Sequence, residues 1–429
     1  VGGVTVVESL EQRPGGRSGA LYSLRVYPAF RLLFGTTLAT NAAFWMWSLL
    51  AGWLALVLTD SPFFVGLTGF LNGIPMLLVS LPAGVVIDRL DRRFVLLTAQ
   101  VLVTVVTVLL VVLLWLDRLQ PWQLLTAAFL SGTGMAFVFG TRSALVANLV
   151  GREALVNAVA LTSTAQNAPR IVGPALAGPL VGAVGLAGAF GVCALFQLLS
   201  VAITARLPRV RPASSGGSFW RAFVEGVEVV WRREQLLALM VLAALPTLLL
   251  FPYMNFLPVF ARDELGVGAT GLGILMALNG LGAVIGSVAV AARRHIGESP
   301  RVLVVSVGLF ATAVLAFAQA PFAWLAGLFL FAAGVTGAVY MAATNTLLQL
   351  TVEDTVRGRV YSVYLLTWGL LPLGTLPAGA LADTWGAPLA VSVLALLAVV
   401  AVGVVTLRFP ILWRSSLWVE RSRTASHVG

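Results

Sequence analysis

The chain contains no lysine; all 27 of its basic residues are arginine. Cysteine is nearly absent as well, with Cys193 alone, and histidine occurs only at His295 and His427. A single cysteine closes no intrachain disulfide. Two histidines far apart in sequence offer no zinc, haem or iron–sulfur constellation. Charge of either sign is scarce at 10% of residues, against 59% hydrophobic residues and a mean hydropathy of +0.96. So little charge cannot coat a soluble protein of 429 residues, so lipid is expected to be the solvent for most of the surface. A GxxxxGK[ST] phosphate loop is missing, which argues against an intrinsic ATP-driven pump. A TVGYG-type filter is missing too, which argues against a channel. No nucleophile or metal set stands out, so the chain reads as neither an enzyme nor a cofactor carrier. The alternating pattern of a membrane β-barrel is absent.

What remains is a run of long apolar segments, each near the roughly 20 residues that span a bilayer. Twelve are read, at about 30–58, 63–87, 94–116, 122–142, 155–180, 183–203, 235–260, 268–292, 302–319, 322–346, 357–381 and 386–407. The fold class expected is all-α and polytopic, with twelve transmembrane helices in two six-helix bundles. The organisation predicted is an N-terminal segment 1–29, a first bundle 30–203, a linker 204–234, a second bundle 235–407 and a tail 408–429. The linker sequence FWRAFVEGVEVVWRRE reads as an amphipathic interfacial helix anchored by Trp220 and Trp231. The arginines crowd one set of segments, among them Arg25, Arg89, Arg92, Arg93, Arg206, Arg209, Arg232, Arg233, Arg301, Arg357 and Arg359. The opposite set holds only Arg118 and Arg262. The positive-inside rule then predicts a multi-pass protein of a bacterial inner membrane with both termini in the cytoplasm. Arginines at span ends, rather than along one groove, argue against nucleic acid as the partner of this basic chain.

The two halves echo each other. GLTGFLNG at 66–73 aligns with GILMALNG at 273–280, which pairs Asn72 with Asn279. GPALAGPLVGAVG at 173–185 aligns with GTLPAGALADTWG at 374–386, which pairs Gly185 with Gly386. A duplicated bundle with its substrate path between the halves is what such a repeat implies in secondary transporters.

The loop Gly84-Val-Val-Ile-Asp88-Arg89-Leu-Asp91-Arg92-Arg93 carries the sharpest local signal. It combines a glycine that permits close helix approach, an acid and an arginine cluster. Asp88 has two open roles: a local pair with Arg89 or Arg92, or a cap on the N-terminus of another helix. Plain positive-inside anchoring explains the arginines equally well. The stretch resembles the loop signature of the major facilitator superfamily at Gly84, Asp88, Arg89, Arg92 and Arg93, with Asp91 where glycine is common. That resemblance covers about residues 25–407 and implies the two-bundle fold. It also implies that Asp88 locks the inward-closed form against the start of the eleventh span, near Arg357 and Arg359. Within the superfamily, LVGREALVNAVALTSTAQNAPRIVGPALAG at 149–178 and NTLLQLTVEDTVRGRVYSVYLL at 345–366 are similar to the enterobactin-exporter and the tetracycline and macrolide efflux subfamily.

Polar groups inside a bilayer are costly and normally face the protein interior. Arg170 is the deepest charge read from the sequence. It is expected either to meet an anionic cargo group or a proton acceptor, or to bond to neighbouring spans. Pro169, Pro174 and Pro179 around it free carbonyls for such bonds. Asn41, Asn72, Gln166, Asn167, Asn255 and Asn279 are further candidates for cargo contact, or for bridges between helices. Trp45, Tyr253, Tyr364 and Trp368 add the aromatic surface that suits an amphipathic organic molecule. No Asp or Glu lies deep in any span read here, so the coupling group is not evident; Asp60, near the outer face, is the first candidate. The reading is a secondary transporter that exports amphipathic organic compounds, drugs or siderophore-like, in exchange for protons. A lysophospholipid transporter or flippase of the same fold is the alternative. Membrane lipids are expected partners, and the protein is expected to be a monomer.

Overall fold

In the computed structural model, residues 20–210, 219–293, 297–353 and 356–413 are described. The N-terminal residues 1–19, the tail 414–429, residues 211–218 and His295, with the expectations placed on them, lie outside the described residues. Eleven helical stretches among the described residues are long and apolar enough to cross a membrane. One of these, Leu155–Thr204, is 50 residues long and contains two crossings. It doubles back at Gly185, whose φ of 73° only glycine adopts freely. As a result Gly173 packs on Trp45 while Cys193 reaches the carbonyl of Ala43, both on the same stretch of the first span. The twelve spans are therefore present as two six-helix bundles.

Spans 1 to 4 are Pro28–Thr59, Pro62–Arg89, Arg92–Trp115 and Pro121–Leu149. Span 5 is Leu155–Asn167 continued from Pro169 to the bend at Gly185, and span 6 runs on to Thr204. Span 7 comprises Glu234–Leu245, Tyr253–Val259 and two wide π turns, Pro246–Leu250 and Phe260–Glu264. Spans 8 to 10 are Gly268–Ala292, Pro300–Ala318 and Ala323–Thr351. Span 11 is Arg357–Thr367 and Leu371–Trp385, joined by a 3-10 turn at Trp368–Leu370, and span 12 is Ala387–Arg408. Proline opens many of these helices (Pro28, Pro62, Pro121, Pro300), where its missing N–H costs nothing. Ser61 caps span 2 by accepting from the N–H of Phe64 at 3.2 Å.

The duplication read from the sequence has a physical counterpart. Asn72 donates its side-chain N–H to the carbonyl of Ala128, and Asn279 donates to that of Leu330. Four residues on from each acceptor stands a glycine, Gly132 or Gly334. A Cβ on either would lie 2.0 or 2.1 Å from the backbone oxygen of the same asparagine. Each half thus clamps its second span to its fourth by one amide and one close glycine approach. Gly386, with φ 86°, ends span 11 as Gly185 ends span 5.

Inside the first bundle, Gln100 donates to Thr36 and Thr40, whose hydroxyls meet Ser200 and Thr204. These bonds offset the burial of the hydroxyls and of the Gln100 amide nitrogen, while Gln100 Oε1 has no partner among the described residues. The linker helix Phe219–Arg232 docks on the start of span 11, where Gly226 lies against the carbonyl of Arg359 and Glu225 pairs with Arg359 at 2.7 Å. Its Val224, Val227 and Trp231 remain exposed on one side, as an interfacial helix requires. Near the chain start, the Tyr27 hydroxyl donates to Glu153 at 2.6 Å, and that bond holds its phenol above the usual range.

Candidate functional site

The two bundles touch along span 2 with span 11 and span 5 with span 8, but only over part of their length. At the arginine-poor end they are sealed. Ser61 donates to Asp383 at 2.7 Å, and the N–H of Phe63 donates to the same carboxylate at 3.2 Å. Arg262 reaches Asp60 at 2.7 Å and the carbonyl of Leu56 at 3.1 Å, while also holding Asp263. Below these polar bonds, glycines bring the backbones together. A Cβ on Gly66 would stand 3.0 Å from the Cα of Gly379, and one on Gly178 would stand 2.6 Å from the carbonyl of Ala269. Towards the arginine-rich end the contacts stop. Gly84 has no atom near its Cβ position, and Asp88 is exposed. Continuing the contact face of span 5 back from Arg170 gives Asn167, Ser163, Val159 and Val156, all exposed. The matching face of span 8 gives exposed Ser287 and Val288. The bundles therefore splay around a cleft that opens at the arginine-rich end and is shut at the other.

Arg170 lies where the seal meets the cleft. Span 5 breaks at Ala168, Pro169 restarts it, and Arg170 follows in the first turn. Its Nη2 donates across the bundle boundary to Asn279 Oδ1 at 2.9 Å. Asn279, almost fully buried, donates in turn to the Tyr253 hydroxyl at 2.7 Å and to the Leu330 carbonyl at 3.0 Å. The guanidinium also stacks 5.3 Å from the centre of the Trp45 ring, and its Nε has no partner. Four residues proposed separately from the sequence, Trp45, Arg170, Tyr253 and Asn279, thus form one cluster built from both halves. A cation held between an aromatic face and a neutral amide keeps its charge uncompensated, a suitable arrangement for meeting an anion.

The other candidates are dispersed. Asn72 and Asn255 line a polar crevice behind the seal, between spans 1, 2, 7 and 8. Asn255 donates to Thr375 at 3.2 Å. Asn41 and Asn167 turn their amides back to carbonyls one turn earlier, Thr37 and Ser163, and Gln166 is half-buried with no bond to the cluster. Tyr364 and Trp368 bond and stack within the second bundle: Tyr364 accepts from Asn345 at 3.4 Å, and Trp368 packs 5.5 Å from Phe251. Asp60 is a seal residue, largely exposed beside Arg262.

In the loop between spans 2 and 3, Asp91 rather than Asp88 does the capping. Its carboxylate accepts from the N–H groups of Arg93 at 2.9 Å and Phe94 at 3.2 Å, because it stands immediately before the helix. Asp88 makes neither the local pair nor the helix cap considered above and has no partner among the described residues. Arg92 reaches the Ala144 carbonyl and Asn148, and Arg93 reaches the Ala205 carbonyl. Arg89 is exposed; Arg359 is engaged by the linker helix, and Arg357 reaches the carbonyls of Gln349 and Val352. With the bundles apart at this end, Asp88 is far from forming a latch.

One residue escaped the sequence reading. Arg142 was placed at the end of the fourth span, but the helix continues to Leu149. The side chain is 2% exposed, and neither Nη1 nor Nη2 has a partner among the described residues. Counting the span from Pro121 instead of from its last apolar run would have placed Arg142 inside it.

The seal makes a direct prediction. Replacing Asp383 by alanine removes both bonds to the start of span 2. Exposed bonds of this kind are individually worth about 1 kcal/mol or less. In a Cys193→Ala background, a cysteine at Thr68, behind the seal, should then react with a thiol reagent from the arginine-poor side several-fold faster. Unchanged labelling would show that the glycine contacts alone hold the seal.

Two bundles related by duplication, with a cleft between them open at one end, define a secondary transporter of the major facilitator architecture, which moves small molecules across a membrane. The chain belongs to the transmembrane secretion effector family, whose sequence profile matches residues 19–422. It is 29% identical over 82% of its length to an uncharacterised MFS-type transporter, y4rN, of Sinorhizobium fredii, covering 87% of that protein. It is 27% identical over 80% of its length to an enterobactin exporter of Salmonella typhi, covering 82% of it. A crystal structure of a peptide transporter bound to sulfate superposes with a TM-score of 0.74 at 11% identity, covering 93% of this chain and 97% of that one. At that identity the likeness concerns the fold alone.

Proposed function

We propose that the protein exports amphipathic organic compounds from a bacterial cytoplasm by alternating access, driven by proton exchange. The observation that carries the reading is the cleft sealed at one end, with the Arg170–Asn279 bond spanning both halves at its closed limit. The asymmetry of arginines supports placing the open end, and both chain termini, in the cytoplasm of an inner-membrane protein. The moving bodies are the halves 30–203 and 235–407. Cargo enters from the cytoplasm among Trp45, Arg170, Tyr253 and Asn279. The seal through Asp60, Arg262, Ser61 and Asp383 then breaks as the arginine-rich end closes. In that closed form Asp88 meets the region of Arg357 and Arg359, and Gly84 lets span 2 approach. Asp60 is the acid we assign to coupling, since its pair with Arg262 breaks when the seal opens.

Reconstitution tests this reading. Purified protein in sealed liposomes with an imposed pH gradient is offered a tetracycline, a macrolide, a catecholate siderophore and a lysophospholipid. Gradient-driven movement of one of the first three supports proton-coupled export. Movement of lysophospholipid alone, indifferent to pH, replaces this reading with a lipid transporter.

A further inference from the structure

Arg142 is the most anomalous group in the described structure. A buried guanidinium that lacks hydrogen-bond partners is costly, and proteins normally supply a carboxylate or carbonyls. Among the described residues neither terminal nitrogen has a hydrogen-bond partner, and no Asp or Glu pairs with Arg142. The guanidinium instead meets an aromatic ring: its carbon lies 5.1 Å from the centre of the Phe139 ring, one turn earlier on span 4.

That contact is the end of a row. Phe139 meets Phe44 edge-on at 5.9 Å, Phe44 meets Trp45 edge-on at 5.5 Å, and Trp45 carries Arg170. Spans 1, 4 and 5 thus present three rings in sequence with an uncompensated arginine at each end. The three rings are each half-buried, and Phe44 alone of the row borders a small cavity of about 30 Å³ inside the first bundle. Val138 and Met135, one and two turns from Arg142 on the same helix face, line that cavity together with Phe44. Gly140 and Ser143, close to Arg142 in sequence, are exposed, while Thr141 beside it is buried.

We infer that this row is a binding site for aromatic anions, with the acid of the ligand on Arg142 or Arg170 and its rings against Phe139, Phe44 and Trp45. The assignment rests on the reading of the cleft as the cargo path and narrows its cargo. Cationic and uncharged amphiphiles meet two positive charges and no acid, so the row discriminates against them. An aromatic acid gains a charge-assisted bond and face or edge contacts that are available on every ring. A phosphate-bearing lipid shares the anionic group but has no use for the rings.

Binding is measured on the full chain in nanodiscs by energy transfer from tryptophan to pyrene, corrected with empty nanodiscs. The probes are 1-pyrenebutyrate, 1-pyrenebutanol and a pyrenyl trimethylammonium of the same length, with lysophosphatidylglycerol as competitor. Pyrenebutyrate should bind at least about tenfold more tightly than the ammonium, the scale of one charge-assisted hydrogen bond. Arg142→Gln should remove most of that preference without weakening the ammonium, and Arg142→Lys should keep it. Should Arg142→Gln fail to fold, Phe139→Leu decides: pyrenebutyrate should weaken several-fold. Equal or tighter binding of the ammonium or the alcohol would overturn the assignment. So would an unchanged preference in Arg142→Gln, unchanged affinity in Phe139→Leu, or displacement by lysophosphatidylglycerol at lower concentration than by pyrenebutyrate itself. Transport of cationic drugs with no anion preference would discard this site but leave the transporter reading; no movement of any compound would remove that reading instead.

Discussion

Replacing Arg170 by glutamine should reduce transport by about ten- to a hundredfold, the range expected when a hydrogen bond to a charged group is lost. The residue does three things at once. It carries the charge at the closed limit of the cleft, it stacks on Trp45, and it satisfies the Oδ1 of a buried Asn279. Asn279 is itself committed to Tyr253 and Leu330, so it cannot turn to find another donor without breaking those bonds. Glutamine is too short to reach from the same backbone position, and Oδ1 is left unpaired. Lysine keeps the charge but not the planar group that fits between an indole and an amide, so it should recover only part of the activity. Protein amount in the membrane, measured alongside, separates this from misfolding. A purely structural Arg170 would lose folded protein in proportion to transport; a cargo-binding Arg170 would leave folded transporter that does not move its substrate.

The glycine contacts should give the largest losses of stability. A Cβ at Gly374 would stand 1.7 Å from the carbonyl oxygen of Leu248, and those at Gly132 and Gly334 would stand 2.0 and 2.1 Å from the carbonyl oxygens of Asn72 and Asn279. These neighbours are backbone, so the helices themselves must separate. Even alanine should cost about 1–3 kcal/mol or more at each site, the scale of overpacking. A thermal-melt assay should show clear drops for Gly132→Ala, Gly334→Ala and Gly374→Ala. Gly308 and Gly403 provide the control, since nothing lies within 4 Å of their Cβ positions. Alanine there should be neutral or raise the melting temperature, because helix interiors favour alanine over glycine. Equal effects at all five positions would mean that the close approaches are not what holds the bundle.

These contacts show how much of the molecule was legible beforehand. Hydropathy alone marked twelve spans, because a bilayer forces helices to satisfy their own backbone and turn apolar side chains outward. The pairing of Asn72 with Asn279 rested on an eight-residue match, and both residues make the same clamp. The match preserved the amide that each clamp needs, while the glycines that complete it, Gly132 and Gly334, lie outside the matched segments. Gly185 and Gly386 also aligned, and both adopt positive φ. What the sequence did not show was where helices break. The π turns around Pro246 and Phe260 and the 3-10 turn at Trp368 depend on packing against neighbouring spans rather than on local pattern. Arg142 was hidden because apolar runs end where charge begins, while this helix continues through the charge. For the same reason Arg170, flanked by apolar residues on both sides, was easy to find. The latch proposed for Asp88 requires a conformation other than this one, and no local pattern distinguishes the two states.

The central claim is that the bundles must separate at the arginine-poor end during each transport cycle. Cysteines at Ser61 and Asp383, in a Cys193→Ala background, allow the two halves to be joined by oxidation at the seal and released by reductant. Substrate movement is then followed in the same liposomes before cross-linking, after it, and after reduction. The account predicts that transport stops on cross-linking and returns on reduction. Undiminished transport through the cross-linked protein would contradict it.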